Sequence, residues 1–288
     1  MTDPMAEPRT DSRSAALKPT ESDSASPFAL SQAPTERFSS RVESYRSFRP
    51  HYPEAMIPAL DRLCGLSPED TVADLAAGTG IFTEQLLRAG HTVVAVEPNE
   101  AMRASCEALK AEFPRLSVKA GTAEQTGLPD HSVALITVAQ ALHWFDHKAA
   151  RAEFVRILRP GGWCAVIYNH RRMSGNPFHE GYEQILEKFG TDYAAVRARR
   201  EPIDEFFAPL AYEKLRFENY QDLTLEALIG RLVSSSYMPQ PGHPNYEAMI
   251  EAATALFAAE QKNGPEHKEG TVRLCYDAIA YCARLGGN

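Results

Sequence analysis

The sequence lacks paired cysteines, metal-ligand spacing and any long apolar run. Its five cysteines are scattered, and no two of them are spaced as C-x-x-C: Cys64, Cys106, Cys164, Cys275 and Cys282. An odd number of scattered cysteines is typical of reduced thiols in a cytoplasmic protein and predicts no metal site. No apolar run approaches the roughly 20 residues that cross a bilayer, and the N-terminus has no signal-peptide core. We therefore expect a cytoplasmic protein with no membrane partner.

Excess positive charge is also absent. The 288 residues include 30 Lys and Arg against 38 Asp and Glu, which gives a formal net charge of −8 at pH 7. Surfaces that bind DNA or RNA usually present a basic field, so we expect no nucleic-acid partner. The hydrophobic fraction of 44% is ordinary for a globular chain of this length and is sufficient for a full core.

The first 36 residues lack apolar periodicity and are rich in Ser, Pro, Thr and Ala. Such a composition cannot bury enough apolar surface to offset the entropy of ordering the chain. The sequence therefore predicts a disordered tail over residues 1–36 and one folded domain over residues 37–288.

Strand and helix signals alternate from residue 71 to residue 169. The strand signals are apolar almost throughout: "TVADLA", "HTVVAVEP", "LSVKAG", "SVALITVAQAL" and "WCAVIYN". The segments between them are predicted helices, one beginning at the cap residue Asn99 and another, "KAARAEFVRILRPGG", closed by its glycines. Apolar strands separated by helices predict an α/β fold with a parallel sheet covered on both faces.

The last third has a different pattern. Helical stretches within about residues 170–265 surround two strand signals, "YEKLRFENY" and "GTVRLCYDAIAYCARL". We expect the two strands to pair as an antiparallel edge. The helices between are expected to form a cap over the carboxyl ends of the sheet.

The turn after the first strand, "DLAAGTG", is made almost entirely of small residues. Gly78 and Gly80 permit close approach of a ligand to the backbone, at the edge where open α/β sheets bind ligands. Glu97 ends the second strand, where a carboxylate can accept both hydroxyls of a ribose. A dinucleotide site would require G-x-G-x-x-G, but Thr83 stands at the third glycine, so that fit is poor.

An acid followed by a glycine-rich turn resembles the first motif of class I S-adenosylmethionine-dependent methyltransferases, with Ala76 at the first glycine. The segments "VEPNEAMR", "GTAEQTGLPDHSVALITVAQALHWFD" and "RILRPGGWCAVIYN" resemble later parts of the same family. The likeness extends over residues 38–285. "YRSFRPHYP", "ALHWFD" and "SSSYMP" point to the small-molecule branch that includes trans-aconitate methyltransferase.

This resemblance implies a Rossmann-like, seven-stranded, mostly parallel sheet of order 3-2-1-4-5-7-6. It implies S-adenosylmethionine as cofactor and S-adenosylhomocysteine as product. The residues that the resemblance assigns to the cofactor are Asp74, Ala76, Gly78, Thr79, Gly80, Glu97, Pro98, Thr122, Ala123 and Gln140. Asp74 would orient the loop, and Gln140 would offer its backbone carbonyl.

His143 and Trp144 follow the fourth strand, where the methyl acceptor should face the sulfonium. His143 is either a general base or a residue that packs or orients the substrate, and Trp144 is expected to wall the pocket. Candidate substrate contacts are Tyr45, Arg49, Tyr52, Ser236 and Tyr237. The alternatives are a helix packed on the sheet edge for the first three and a Ser-rich loop for the last two.

The predicted function is transfer of a methyl group by direct displacement to a small molecule. The acceptor atom can be oxygen, nitrogen or carbon, including a carboxylate, and the protein can be a monomer or a homodimer. Two alternatives stay open. One is an NAD(P)-dependent oxidoreductase on a similar sheet, and the other is a non-catalytic module that binds the cofactor.

Overall fold

The computed structural model describes residues 42–198, 202–263 and 270–287, so the predicted tail lies outside the described residues. The α-helices are α1 (Val42–Phe48), α2 (Met56–Cys64), α3 (Ile81–Arg88), α4 (Glu100–Glu107), α5 (His147–Ile157), α6 (Pro177–Phe189), α7 (Tyr193–Ala198), α8 (Ile203–Phe207), α9 (Leu225–Val233) and α10 (Tyr246–Asn263). The strands are β1 (Thr71–Leu75), β2 (Thr92–Val96), β3 (Leu116–Lys119), β4 (Val133–Ala139), β5 (Leu158–Arg171), β6 (Glu213–Leu223) and β7 (Val272–Arg284).

The seven strands form one sheet in the order β3-β2-β1-β4-β5-β7-β6, which confirms the predicted topology. Strands β1 to β5 pair in parallel with one another, and β7 is antiparallel to both β5 and β6. In β4, six of the seven residues are buried, as expected for a strand covered on both faces. The parallel strands therefore end along one edge of the sheet.

Two helix boundaries test the sequence interpretation. Asn99 is the N-cap of α4, as predicted, and its side chain accepts a hydrogen bond from the N–H of Met102. The prediction that glycines close α5 was wrong, because the helix ends at Ile157 and β5 begins at Leu158. Leu158 pairs with Val133 across a register shift in the β4–β5 ladder, so the glycines at 161 and 162 lie in the irregular start of the strand.

Two clusters of buried apolar side chains cover the sheet, and the helices after β5 build a third. Its buried side chains come from α6, α9, α10 and the start of β7, and include Phe178, Tyr182, Leu228, Met249 and Leu274. Helix α1 packs against α9 at Gly230, where the absence of a side chain admits the ring of Phe48. In the described part of the chain, no helix is both long and apolar enough to cross a bilayer.

Replacing Gly230 with alanine tests this contact. The added methyl carbon would lie 2.4 Å from ring atoms of Phe48. Alanine is more favourable than glycine inside a helix by about 1 kcal/mol, whereas overpacking a core costs about 1–3 kcal/mol. We therefore expect Gly230→Ala to lower the free energy of unfolding. In a Phe48→Ala background, urea unfolding should show the same substitution to be neutral or stabilising. Equal losses in both backgrounds would contradict the contact.

Candidate functional site

The loop after β1 has a backbone that only small residues tolerate. Ala76, Gly78 and Gly80 all adopt positive φ, at 53°, 59° and 88°. Gly80 is crowded as well, since a Cβ there would lie 2.8 Å from the side chain of Leu109. For alanine, a left-handed φ costs about 1–2 kcal/mol, so the backbone at Ala76 is strained. The loop therefore exposes main chain at the carboxyl edge of the sheet.

The side chain of Asp74, near the end of β1, supports this loop through hydrogen bonds. Its side chain is 1% exposed, and its two oxygens accept hydrogen bonds from the hydroxyls of Thr83 at 2.6 Å and Thr137 at 2.8 Å. These hydroxyls belong to α3 and β4, so one carboxylate joins three elements. Burial raises the pKa of Asp74 to about 6, although the two hydroxyls oppose the shift.

Glu97 holds the loop from the side of β2. Its Oε2 accepts the N–H of Gly78 and its Oε1 accepts the N–H of Asn99, both at 2.8 Å. Burial raises its pKa, and the two N–H donors oppose the shift. A carboxylate offers about four lone-pair positions, so two of them remain for further donors beside the loop.

A cleft opens along this edge of the sheet, between the β1 loop, the segment after α1, the ends of β4 and β5, and α9. Eight residues predicted for the site line it together: Tyr45, Arg49, Tyr52, Asp74, Ala76, Gly78, Thr79 and Gln140. The hydroxyl of Thr79 is buried there without a hydrogen-bond partner among the described residues. Gln140 also has a positive φ, of 62°, and its N–H donates to the carbonyl of Ile167.

The segment after α1 is bound to the sheet rather than free. The N–H and carbonyl of Tyr52 form a pair of hydrogen bonds with the side-chain amide of Gln85, at 2.9 and 2.8 Å. The Tyr52 ring packs edge-on against Phe82, with centroids 4.9 Å apart. The segment therefore packs on the sheet edge and also lines the cleft, and its contact with a substrate stays a prediction.

The remaining predicted residues lie outside the cleft lining. Gly80 belongs to the β1 loop and Glu97 contacts it, and the others are Pro98, Thr122, Ala123, His143, Trp144, Ser236 and Tyr237. His143 and Trp144 occupy a 3-10 turn after β4, with ring centroids 4.8 Å apart. Tyr237 packs against Tyr193, and its carbonyl accepts the N–H of Thr191.

Sequence reasoning missed two polar residues that line the cleft, Asn169 and Arg231. Asn169 lies in β5, and its amide donates to the carbonyl of His51 at 3.3 Å. Arg231 lies on α9, on the same buried face as Leu228 and Leu232. A signal for Arg231 was present in "LEALIGRLV", where a charged residue interrupts the apolar stripe at i+3.

No group of three or more His, Cys, Asp or Glu side chains that could hold a metal ion occurs among residues 42–198, 202–263 and 270–287.

Comparison with known proteins finds methyltransferases among the relatives of this chain. A model of a methyltransferase domain matches residues 73–166. An uncharacterized methyltransferase of Mycobacterium tuberculosis is 36% identical over 204 residues, which is 69% of this chain and 76% of that protein. An uncharacterized methyltransferase-like protein of Schizosaccharomyces pombe is 26% identical, over 87% of this chain and 96% of its own length. The narrower likeness to trans-aconitate methyltransferase stays a prediction.

Solved structures show the same fold. A chain from Anaeromyxobacter dehalogenans described as a type II methyltransferase superposes with a TM-score of 0.59 and 23% identity, covering 84% of this chain and all of that one. Phosphoethanolamine N-methyltransferase 2 of Haemonchus contortus, in complex with phosphomonomethylethanolamine and S-adenosylhomocysteine, has a TM-score of 0.51 and 13% identity. It covers 87% of this chain and 58% of its own. At these identities the likeness shows the fold alone.

The strain at Ala76 predicts a stabilising substitution. Glycine at this position removes about 1–2 kcal/mol of left-handed strain from the folded state, which stabilises the protein. It also raises the conformational entropy of the unfolded state, which destabilises the protein by about 0.4–1 kcal/mol. We expect Ala76→Gly to raise the free energy of unfolding by about 0.5–1 kcal/mol on balance. Ala77, whose φ is not positive, is the matched control: Ala77→Gly should lower it by a similar amount. Denaturant unfolding measures both, and a loss in Ala76→Gly would show that the loop is not strained.

The raised pKa of Asp74 predicts a pH dependence of stability. An unfolded aspartate titrates near 3.8 and Asp74 at about 6, so between these values the native state binds more protons and wild-type stability falls as pH rises. This shift corresponds to about 3 kcal/mol. Asparagine does not ionise, so the stability of Asp74→Asn relative to wild type should rise by up to about that amount from pH 4 to pH 7.

Asp70 provides a control of opposite sign. Burial opposes its ionisation, but the Ser67 N–H and the Arg159 guanidinium outweigh burial and lower its pKa. The stability of Asp70→Asn relative to wild type should therefore fall as pH rises from the folded pKa through the unfolded value near 3.8. Parallel pH profiles for the two variants would contradict the assignment of the two carboxylates.

Proposed function

The chain belongs to the class I S-adenosylmethionine-dependent methyltransferases, and from this premise we propose that its cleft binds S-adenosylmethionine and that the bound methyl group passes to a small-molecule acceptor. The observation that carries the proposal is the β1 loop. Bare main chain at Gly78 adjoins two buried carboxylates, Asp74 and Glu97, at the edge of the sheet where ligands of open α/β folds bind.

The residues present fit such a cofactor. A Cβ at Gly78 would meet no heavy atom closer than 3.9 Å, so the backbone there is open to a ligand. The buried Thr79 hydroxyl lacks a partner among the described residues and can bond the methionine portion. Glu97 has two lone-pair positions left, which match the two hydroxyls of a ribose. Pro98, Thr122 and Ala123 would border the adenosine, and the carbonyl of Gln140 would accept from the cofactor's amino group.

The mechanism that we propose is direct displacement. The cofactor supplies a methyl group on a positively charged sulfur, which is already a good electrophile. The protein then has to hold the acceptor in line, and such positioning is equivalent to effective molarities of about 10⁵ M or more. Asp74 contributes by keeping the loop rigid through Thr83 and Thr137. His143 would orient the acceptor or take its proton, and Trp144 would wall the pocket from the turn after β4.

An oxidoreductase function is disfavoured by Thr83. Where a dinucleotide fingerprint has its third glycine, this threonine is fully buried and donates its hydroxyl to Asp74. Glycine at that position permits close packing of helix and strand around a pyrophosphate site. Here the same space is occupied by a side chain that is part of the loop's support.

Ligand-dependent melting tests the cofactor. At about 100 times its dissociation constant, S-adenosylhomocysteine should stabilise the protein by about 2.7 kcal/mol, whereas NAD at the same concentration should leave the melting temperature unchanged. Removing the carboxylate in Glu97→Ala should weaken binding about 10- to 100-fold, since hydrogen bonds to charged groups contribute about 1.5–3 kcal/mol. The neighbouring exposed Glu100 serves as control, and Glu100→Ala should bind like wild type.

Two results would count against the proposal. Stabilisation by NAD rather than S-adenosylhomocysteine would favour the oxidoreductase. Tight cofactor binding with no labelled methyl group leaving S-adenosylmethionine for any pool of small metabolites would favour the non-catalytic module.

A further inference from the structure

Two arginines in the cleft have no carboxylate partner among the described residues. Arg49, from the segment after α1, and Arg231, on α9, both line it. Three other arginines near this end of the sheet are paired with acids: Arg171 with Glu183, Arg172 with Asp277, and Arg273 with Asp222. The cleft arginines differ from these three in having no acidic partner within the part of the chain that the structure describes, although each is at least half-buried.

The contacts of Arg231 are all with neutral groups. It is 7% exposed, its Nε donates to the hydroxyl of Tyr276 at 3.3 Å, and its Nη1 donates to the hydroxyl of Ser235 at 3.1 Å. These bonds fix the guanidinium but do not neutralise it. A guanidinium has five N–H donors, so several remain available toward the cleft.

Arg49 likewise contacts only neutral groups among the described residues. Its Nη2 donates to the carbonyl of Ser234 at 3.0 Å, and its guanidinium lies 4.7 Å from the ring centroid of Tyr45. Its Nε is buried without a partner in the described part of the chain. Burial, and then the positive charge of Arg231, lower the pKa of Arg49. Both side chains line the same cleft.

Such an arrangement is unfavourable for the protein alone. A buried charge without a compensating partner costs several kcal/mol, and a like charge nearby adds to that cost. A structural role would be met by one arginine and one acid, as elsewhere in this chain. Two cations in one cleft instead form a site for an anion, and a guanidinium matches a carboxylate in two parallel hydrogen bonds.

We propose that Arg49 and Arg231 bind a carboxylate of the methyl acceptor, so that the substrates are small carboxylic acids. The inference rests on the proposed function and adds its substrate class. Guanidinium N–H groups occupy the lone pairs of the bound carboxylate, so it anchors the molecule and another atom receives the methyl group. Asp74 lines the same cleft, and its charge favours a singly charged carboxylate over a doubly charged phosphate.

The cofactor's own carboxylate has other donors. The β1 loop offers the N–H and the hydroxyl of Thr79, and α3 offers the N–H groups of its first turn. These lie on the sheet side of the cleft, whereas the arginines come from the segment after α1 and from α9. The two carboxylates are thus assigned to opposite walls.

The test is a titration of the S-adenosylhomocysteine complex with acetate and succinate at constant ionic strength, using acetamide and succinamide as uncharged controls. Calorimetry should detect the carboxylates and not the amides. In Arg231→Met, affinity for succinate should fall about 30-fold or more, since truncating one partner of a buried charged pair has effects of that size. Affinity for S-adenosylhomocysteine should stay within about twofold of wild type, and Arg231→Lys should recover part of the succinate binding.

Arg172→Met is the matched control, because Arg172 is paired with Asp277 and lies outside the cleft lining. It should bind succinate like wild type. The wild-type titration alone can overturn the proposal, whether or not a variant folds: equal response to succinate and succinamide, or none to acetate and succinate, would do so.

A second outcome would reassign the arginines to the cofactor. In that case Arg231→Met would lose S-adenosylhomocysteine affinity while binding 5′-methylthioadenosine, which lacks the amino-acid carboxylate, as well as wild type does. Failure of wild type to bind S-adenosylhomocysteine at all would instead count against the proposed function, so the two failures are distinguishable.

Discussion

The buried carboxylate of Asp74 is the contact on which the geometry of the cleft depends. It lies one residue before the end of β1, accepts hydroxyl hydrogen bonds from α3 and from β4, and so fixes the point where the backbone leaves the sheet. Burying an ionised acid is unfavourable, which is why its pKa rises to about 6 despite two hydrogen bonds. The hydrogen bonds of this buried carboxylate fix the start of the loop that follows. That loop exposes its main chain in a left-handed conformation and depends on this support.

The cleft is built from parts that are remote in sequence and are held there by packing. The sheet edge contributes the β1 loop and the ends of β4 and β5. The opposite wall comes from the segment after α1 and from α9, and the apolar cluster of α6, α9 and α10 supports that wall. The absence of a side chain at Gly230 lets Phe48 bring α1 against α9, and Arg49 then reaches the carbonyl of Ser234 at the end of α9.

The two walls differ in charge. Acids dominate the sheet side, where Asp74 and Glu97 are buried, and the opposite wall carries two arginines without acidic partners in the described residues. A methyl transfer by displacement needs little chemistry from the protein beyond holding two molecules in line. The uneven distribution of fixed charge can orient the two bound molecules. Buried charges act through a low effective dielectric and do not have to reorganise during the reaction.

Local signals in the sequence were sufficient for the strands, the Asn99 cap and the loop after β1, because apolar runs, caps and small-residue turns act over a few neighbouring residues. The sheet order came from the resemblance to class I methyltransferases. They misplaced the end of α5, since the pairing of Leu158 with Val133 is a long-range contact. Tertiary structure alone decided that Ala76 is left-handed, that Asn169 and Arg231 reach the cleft, and that His143 and Trp144 lie outside its lining. The physical reason is that a side chain's surroundings depend on which distant elements pack beside it, and no local pattern specifies that packing.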